Sequence, residues 1–292
     1  MSALSERLKR EFKKSDDIRD FGLKTPKGIL RFDDILYGKN RTWNKLDVYK
    51  PKKAKGKLPV IISVHGGGWV YGDKERYQYY CMNLASRGFA VVNFTYRLAP
   101  EYKFPSPLED TNNVVKWVLK NAEEYLFDTD SIFAVGDSAG AHILCLYTSI
   151  LTNKEYASNY SFKTPKDFCF KAIGLNCGSY NIRISGKKSL TGTLMVDYLP
   201  EQGSKKELEL LCCTDHITED FPPVFVMTAV ADFLKDQAME LVKKLTEKDV
   251  PHIYRLYGNK DNRLSHVFHC NIRSTDAKLC NDEECDFFKK SI

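Results

Sequence analysis

From Pro59 onward, short apolar runs alternate with longer helical segments, and no other feature of the chain narrows its fold as much. The runs are Val60–Val64, Ala90–Thr95, Ser131–Val135, Ala172–Asn176, Val224–Val230 and His252–Leu256. Helix candidates fall between them near residues 75–87, 110–124, 138–151 and 235–248. Such alternation signals βαβ units and a parallel sheet. Several runs are apolar throughout, as strands covered on both faces should be. The pattern predicts an α/β fold with a mostly parallel central sheet flanked by helices. Ahead of it, residues 3–22 read as a charged amphipathic helix with Leu4, Leu8, Phe12 and Ile18 on or near one face. Two further strands, Ile29–Leu36 and Trp43–Tyr49, flank the turn signal Gly38-Lys39-Asn40. Residues 152–168 and 178–222 break the alternation and read as structured insertions above the sheet. All 292 residues are therefore expected to form one domain, with a small cap drawn from residues 1–25 and 178–222.

Composition removes several classes of function. The net charge of +6 invites a nucleic-acid reading, but the 44 basic residues are interleaved with 38 acidic ones. The densest basic run, Lys50 to Lys57, lies between two strands and reads as a solvated loop, whereas nucleic-acid binding needs clustered charge. Residues 1–19 are highly charged and lack the apolar centre of a signal peptide. No stretch approaches the ~20 apolar residues that span a bilayer. The nine cysteines, at 81, 145, 169, 177, 212, 213, 270, 280 and 285, include several inside apolar runs. Cys270, Cys280 and Cys285 fit no common metal-ligand spacing. Reduced structural cysteines and a cytoplasmic protein without membrane or nucleic-acid partners are the expectation. An exposed edge strand or the terminal helix could mediate a homodimer, although nothing in the residues requires it.

The strongest local signal is Gly136-Asp137-Ser138-Ala139-Gly140, set between the strand Ser131–Val135 and a helix over Ala139–Ile150. Two glycines let the backbone make the tight turn without a Cβ clash. The turn lifts Ser138 to the C-terminal edge of the sheet at a helix N-terminus, where the dipole favours developing negative charge. The pentad is also similar to the Gly-Asp-Ser-Gly-Gly of chymotrypsin-like proteases. Those are β-barrels with no helix after the serine, and the flanking pattern excludes them.

His65-Gly66-Gly67-Gly68-Trp69 follows the run Val60–Val64. Three consecutive glycines at a strand end expose backbone N–H groups that no side chain covers. Acyl transfer needs such donors for the oxyanion, and losing one costs ~3–4 kcal/mol of transition-state stabilisation. The N–H groups of Gly66 and Gly67 are expected to form the oxyanion hole, with Ala139 as third donor. No Gly-Lys-Ser/Thr follows, which excludes a phosphate-binding P-loop. His65 is expected to fix the loop rather than act as a base.

A serine nucleophile needs a base held by an acid. On strand–turn–helix sites the chain order is Ser, acid, His, with the last two at the ends of later strands. Asp232 follows the strand Val224–Val230 at once and is the expected acid, with Asp236 the alternative one helical turn on. Ser265-His266-Val267-Phe268-His269 follows the last strand, and His266 is the expected base, with His269 the alternative. His142, His216 and His252 read as structural.

At this point the chain resembles the hormone-sensitive-lipase-like branch of the α/β-hydrolases, a group of carboxylesterases that includes bacterial acetyl esterases and arylacetamide deacetylases. The likeness covers roughly residues 45–270. It rests on both glycine motifs, on Tyr96-Arg97-Leu98-Ala99-Pro100-Glu101 with Phe104-Pro105 and Pro107-Leu108-Glu109-Asp110, on Pro222-Pro223, on Asp232 with Leu234, and on His266-Val267-Phe268. It implies Ser138 as nucleophile, His266 as base, Asp232 as acid and Gly66, Gly67 and Ala139 as oxyanion donors, with no cofactor or metal. Ala141 and Val267 stand where the family commonly has Gly. The N-terminal segment is shorter than the large cap of lipase-like members, which favours short acyl groups, acetyl above all. The expected function is hydrolysis of small esters through an acyl-enzyme. An amidase or formamidase on the same triad is the alternative, and a non-catalytic small-molecule receptor is a third reading.

Overall fold

The computed structural model describes residues 2–184, 186 and 189–292; of the expected cap, Met1, Ser185, Lys187 and Lys188 lie outside the described residues. The first elements are α1 (Ala3–Asp20), β1 (Ile29–Leu36), β2 (Lys45–Pro51), β3 (Leu58–Val64), α2 (Lys74–Ala85) and β4 (Ala90–Phe94). Next come α3 (Ser106–Lys120), α4 (Ala122–Tyr125), β5 (Phe127–Asp137), α5 (Ala139–Thr152), α6 (Lys154–Ala157) and β6 (Ile173–Asn176). Three short helices, α7 (Leu190–Tyr198), α8 (Lys205–Leu210) and α9 (Cys213–His216), precede β7 (Val224–Ala229). The chain closes with α10 (Lys235–Glu247), β8 (His252–Tyr257), a 3₁₀ turn at Phe268–Cys270 and α11 (Thr275–Lys290).

All eight strands join one sheet in the order β1-β2-β4-β3-β5-β6-β7-β8. β2 pairs antiparallel with β1 and β4, and every other neighbour is parallel. This is the mostly parallel, helix-flanked sheet that the alternation predicts. The period of two along a strand sends successive side chains to opposite layers. In β3, Val60, Ile62 and Val64 enter the larger core, and Ile61 enters the smaller one. In β5, Ile132 and Ala134 point one way while Phe133 and Val135 point the other. Because both faces are covered, β3, β4, β6 and β7 carry no need for polar alternation, and they show little.

Element boundaries differ from the apolar runs where polar chemistry intervenes. β2 begins at Lys45, because Trp43 is held in a turn in which the Asn44 N–H donates to the Asn40 carbonyl at 2.8 Å. β5 starts at Phe127 and includes Asp128 and Asp130, since Leu58 and Phe127 pair ahead of an irregularity at Pro59–Val60. α11 lies beyond the alternation read from the sequence. Its Phe288 stacks on Phe133 with ring centroids 4.8 Å apart, sealing the second face of the sheet. Among the described residues no helix is long and apolar enough to cross a membrane.

Candidate active site

β5 runs straight into α5 through a single residue. Ser138 sits at φ 52°, ψ −118°, a conformation that costs a non-glycine residue about 1–3 kcal/mol. Its backbone is held there by neighbours: its N–H donates to the Asn176 carbonyl at 3.0 Å, and its carbonyl accepts from the His142 N–H at 3.2 Å. The flanking glycines are sterically required. A Cβ on Gly136 would come within 2.6 Å of the Gly140 carbonyl oxygen, and one on Gly140 within 2.1 Å of the Val64 carbonyl oxygen.

The glycine loop after β3 departs from expectation at its first member. The Gly66 N–H donates to the Tyr77 hydroxyl at 3.0 Å, and that hydroxyl donates to Asp137 Oδ2 at 2.7 Å. Gly66 therefore anchors the loop to α2, and its N–H is spent. Of the expected donors Gly66, Gly67 and Ala139, Gly66 is the one whose N–H is already engaged. Among the described residues no acceptor meets the N–H of Gly67, Gly68 or Ala139. Gly67 takes φ 126°, where a Cβ would fall 2.1 Å from the Tyr71 carbonyl oxygen. The Val70 and Tyr71 N–H groups both donate to the Gly67 carbonyl, at 3.3 and 3.0 Å, curling the loop into a tight turn. Tyr77 lies mid-helix, where an aromatic reads as core, and no sequence signal marks its role.

His65 is fully buried and stacks on Tyr96 at 4.0 Å. Burial holds its pKa down to about 4, and its Nδ1 faces the Gly66 carbonyl at 2.8 Å. These are the contacts of a loop-fixing residue. His142 is likewise buried inside α5, with Nε2 3.0 Å from the Leu211 carbonyl and Nδ1 accepting from the Trp69 indole at 3.3 Å.

At the other end of the sheet, β7 and β8 deliver two more groups. Asp232 follows β7, and the loop after β8 is pinned beside it by the Ala231 N–H donating to the Leu264 carbonyl at 2.9 Å. This brings His266 Nδ1 to 2.8 Å from Asp232 Oδ1. The same oxygen accepts from the Leu234 N–H at 2.8 Å, and Oδ2 accepts from the Thr228 hydroxyl at 3.0 Å. Burial raises the Asp232 pKa, but the hydrogen bond and charge of His266 outweigh it and leave the carboxyl below its usual range. Asp236 is exposed in the first turn of α10 and stands apart from this pair. His269 is fully buried against Tyr80, and burial drives its pKa down to about 3. It faces the core behind the loop.

Ser138, His266, Gly66, Gly67, Gly68 and Ala139 line one cavity of about 300 Å³. Leu8, Phe12, Asp16 and Arg19 of α1 and Leu190, Thr191 and Leu194 of α7 form part of its wall, with Trp69 and Phe233. The Phe233 ring lies against the His266 ring, centroids 4.5 Å apart. Both expected cap segments thus reach the cavity. Asp16 accepts from the Tyr71 hydroxyl at 2.8 Å and pairs with Arg19 at 2.8 Å, which makes one side of the wall polar.

Comparison with known proteins agrees with this architecture. A versiconal hemiacetal acetate esterase from Dothistroma septosporum is 29% identical over 222 residues, covering 71% of this chain and 66% of its own length. An arylesterase from Saccharolobus solfataricus is 32% identical over 219 residues, covering 73% of this chain and 70% of its own length. The chain thus spans about two thirds of the length of these curated relatives. Among solved structures, an inhibited esterase B from Lactobacillus rhamnosis superposes with a TM-score of 0.90 at 23% identity, covering 99% of this chain and 97% of that one. A hyperthermophilic esterase from Pyrobaculum calidifontis gives a TM-score of 0.78 at 22% identity, covering 98% and 93%. The fold is that of the α/β-hydrolases, and, with residues 46–245 matching the BD-FAE family model, the chain belongs to the BD-FAE family.

Proposed function

We propose that this protein is a serine carboxylesterase that hydrolyses short-acyl esters, acetyl esters above all, through an acyl-enzyme. The observation that carries the reading is the joint placement of Ser138 and His266 on one cavity, with Asp232 bonded to the far side of the imidazole at 2.8 Å. An imidazole that donates from Nδ1 to a carboxylate presents Nε2 as the acceptor for a serine proton. Ser138 then attacks the ester carbonyl while His266 takes its proton, and Asp232 stabilises the imidazolium. The negative charge on the carbonyl oxygen meets the N–H groups of Gly67, Gly68 and Ala139. His266 returns the proton to the leaving alcohol. Water, activated by the same imidazole, then cleaves the acyl-enzyme. The printed esterase names of the relatives support the reaction class. A cavity of about 300 Å³ is at the small end for ligand sites and favours small esters.

Replacing Ser138 by Ala should lower kcat/KM for p-nitrophenyl acetate by roughly 10⁴-fold or more. An organophosphonate should add its mass to wild type and not to the variant. Full activity in Ser138→Ala overturns the mechanism. A wild-type preference for amides, or for acyl chains longer than butyryl, overturns the substrate class.

A further inference from the structure

We propose that the side-chain amide of Gln237 selects the alcohol half of the ester, donating a hydrogen bond to an acceptor oxygen carried beyond the scissile bond. The inference rests on the esterase reading above and deepens it.

Gln237 stands in the first turn of α10. Its Oε1 accepts from the backbone N–H of Tyr180 at 2.6 Å and from that of Asn181 at 2.8 Å. Two N–H donors on one atom settle which end of the amide is oxygen, because a nitrogen there would set donor against donor. The NH₂ end is thereby fixed in direction, and among the described residues no acceptor meets it. Gln237 is half-buried and lines the cavity shared by Ser138 and His266.

The wall it belongs to lies on the His266 side. Phe233 and Leu234 line the same cavity. The Phe233 ring lies against the His266 ring at 4.5 Å, and the Leu234 N–H donates to the Asp232 carboxylate at 2.8 Å. The Gln237 N–H donates to the Leu234 carbonyl at 3.0 Å, which sets the amide one helical turn beyond. In acyl transfer the imidazole hands its proton to the leaving oxygen, so the alcohol half departs along this wall. Polar neighbours there are tied to one another: Asn181 Nδ2 donates to Glu240 at 2.7 Å, and Arg183 pairs with Glu240 at 2.8 Å. A purely alkyl alcohol half displaces water and leaves the Gln237 N–H groups unpaired. One that carries an ether, carbonyl or hydroxyl oxygen satisfies them.

Gln237 also tethers α10 to the segment after β6, and the two roles use different atoms. The tether needs only Oε1, whereas selection needs the N–H groups. Gln237→Glu separates them, since a carboxylate accepts from both backbone N–H groups and has no hydrogen to give.

The test compares kcat/KM for 2-methoxyethyl acetate and butyl acetate in the intact protein, each divided by the ester's rate of alkaline hydrolysis. The two esters match in length, with an oxygen in place of a methylene. Wild type should prefer the methoxyethyl ester by about 10-fold, and Gln237→Glu should erase that preference. A wild-type ratio near unity overturns the proposal, as does a preference retained in Gln237→Glu that melts like wild type. Should Gln237→Glu fail to fold, Gln237→Met keeps the chain length without the donors, and a preference retained there overturns the proposal equally. Turnover of neither ester sinks the esterase reading itself, a different result from an indifferent ratio.

Discussion

At the scale of single residues, the site is held by atoms that cannot be moved. The pentad was readable because its glycines answer a local need: the backbone of Gly140 packs on the end of β3, and no side chain fits between. Gly140→Ala brings a Cβ against backbone oxygens of Val64 and His65, at 2.1 and 2.5 Å, and neither can swing aside. The substitution should cost about 3 kcal/mol of stability. A thermal melt checks this, and an unchanged midpoint with intact activity would show that the elbow is more compliant than its geometry. The glycine loop after β3 shows the limit of the same reasoning. Three successive glycines look equivalent in sequence. Only the hydroxyl of Tyr77, arriving from α2, distinguishes Gly66 from the two that follow. Chain order alone set Asp232 and His266 side by side, and the structure brings them to 2.8 Å.

Among the elements, those read best had a single clear period. β3, β4 and β7 announce themselves as apolar runs, and α10 as an amphipathic helix. Among the described residues of 178–222 stand three short helices, α7, α8 and α9, whose patterns are too brief to register. α1 was legible as a helix, but its berth was not. Its start is tied to α7 by Asp197, which accepts from the Ser2 N–H at 3.0 Å, the Ser2 hydroxyl at 2.8 Å and the Ser5 hydroxyl at 2.6 Å. Those contacts span some 195 positions of sequence, beyond the reach of any local pattern. With hydrogen bonds worth about 1 kcal/mol each, and more to a charged acceptor, Asp197→Ala should release about 2–3 kcal/mol of docking energy. Since Leu8 and Phe12 wall the cavity, the expected result is a several-fold rise in KM at nearly constant kcat, with faster proteolysis within α1. An unaltered KM beside rapid α1 cleavage would detach the helix from substrate binding.

For the molecule as a whole, covering both faces of the sheet forces some polar groups inside. Glu284 of α11 is fully buried beneath β6, where Asn176 donates to its Oε1 at 2.8 Å. Burial pushes its pKa from 4.5 up to about 7. The folded state therefore holds this proton more tightly than the unfolded chain. The stabilisation is complete below about pH 4.5 and is lost as pH rises through about 7. Glu284→Gln removes the ionisation while keeping the shape. Relative to wild type, its stability should improve on going from pH 5 to pH 8 by about 2–3 kcal/mol. A denaturation series at both pH values checks this, and a pH-independent difference would place the proton elsewhere.

The order of strands also sets a timetable. The turn that carries Ser138 is complete once β3, β5 and β6 have met, at about residue 176. Its partners ride on loops after β7 and β8, pinned to each other only when Ala231 finds Ser265. On the serine-esterase reading proposed above, a nascent chain has Ser138 in place well before Asp232 and His266 have been made, so hydrolysis waits until the β7 and β8 loops have met.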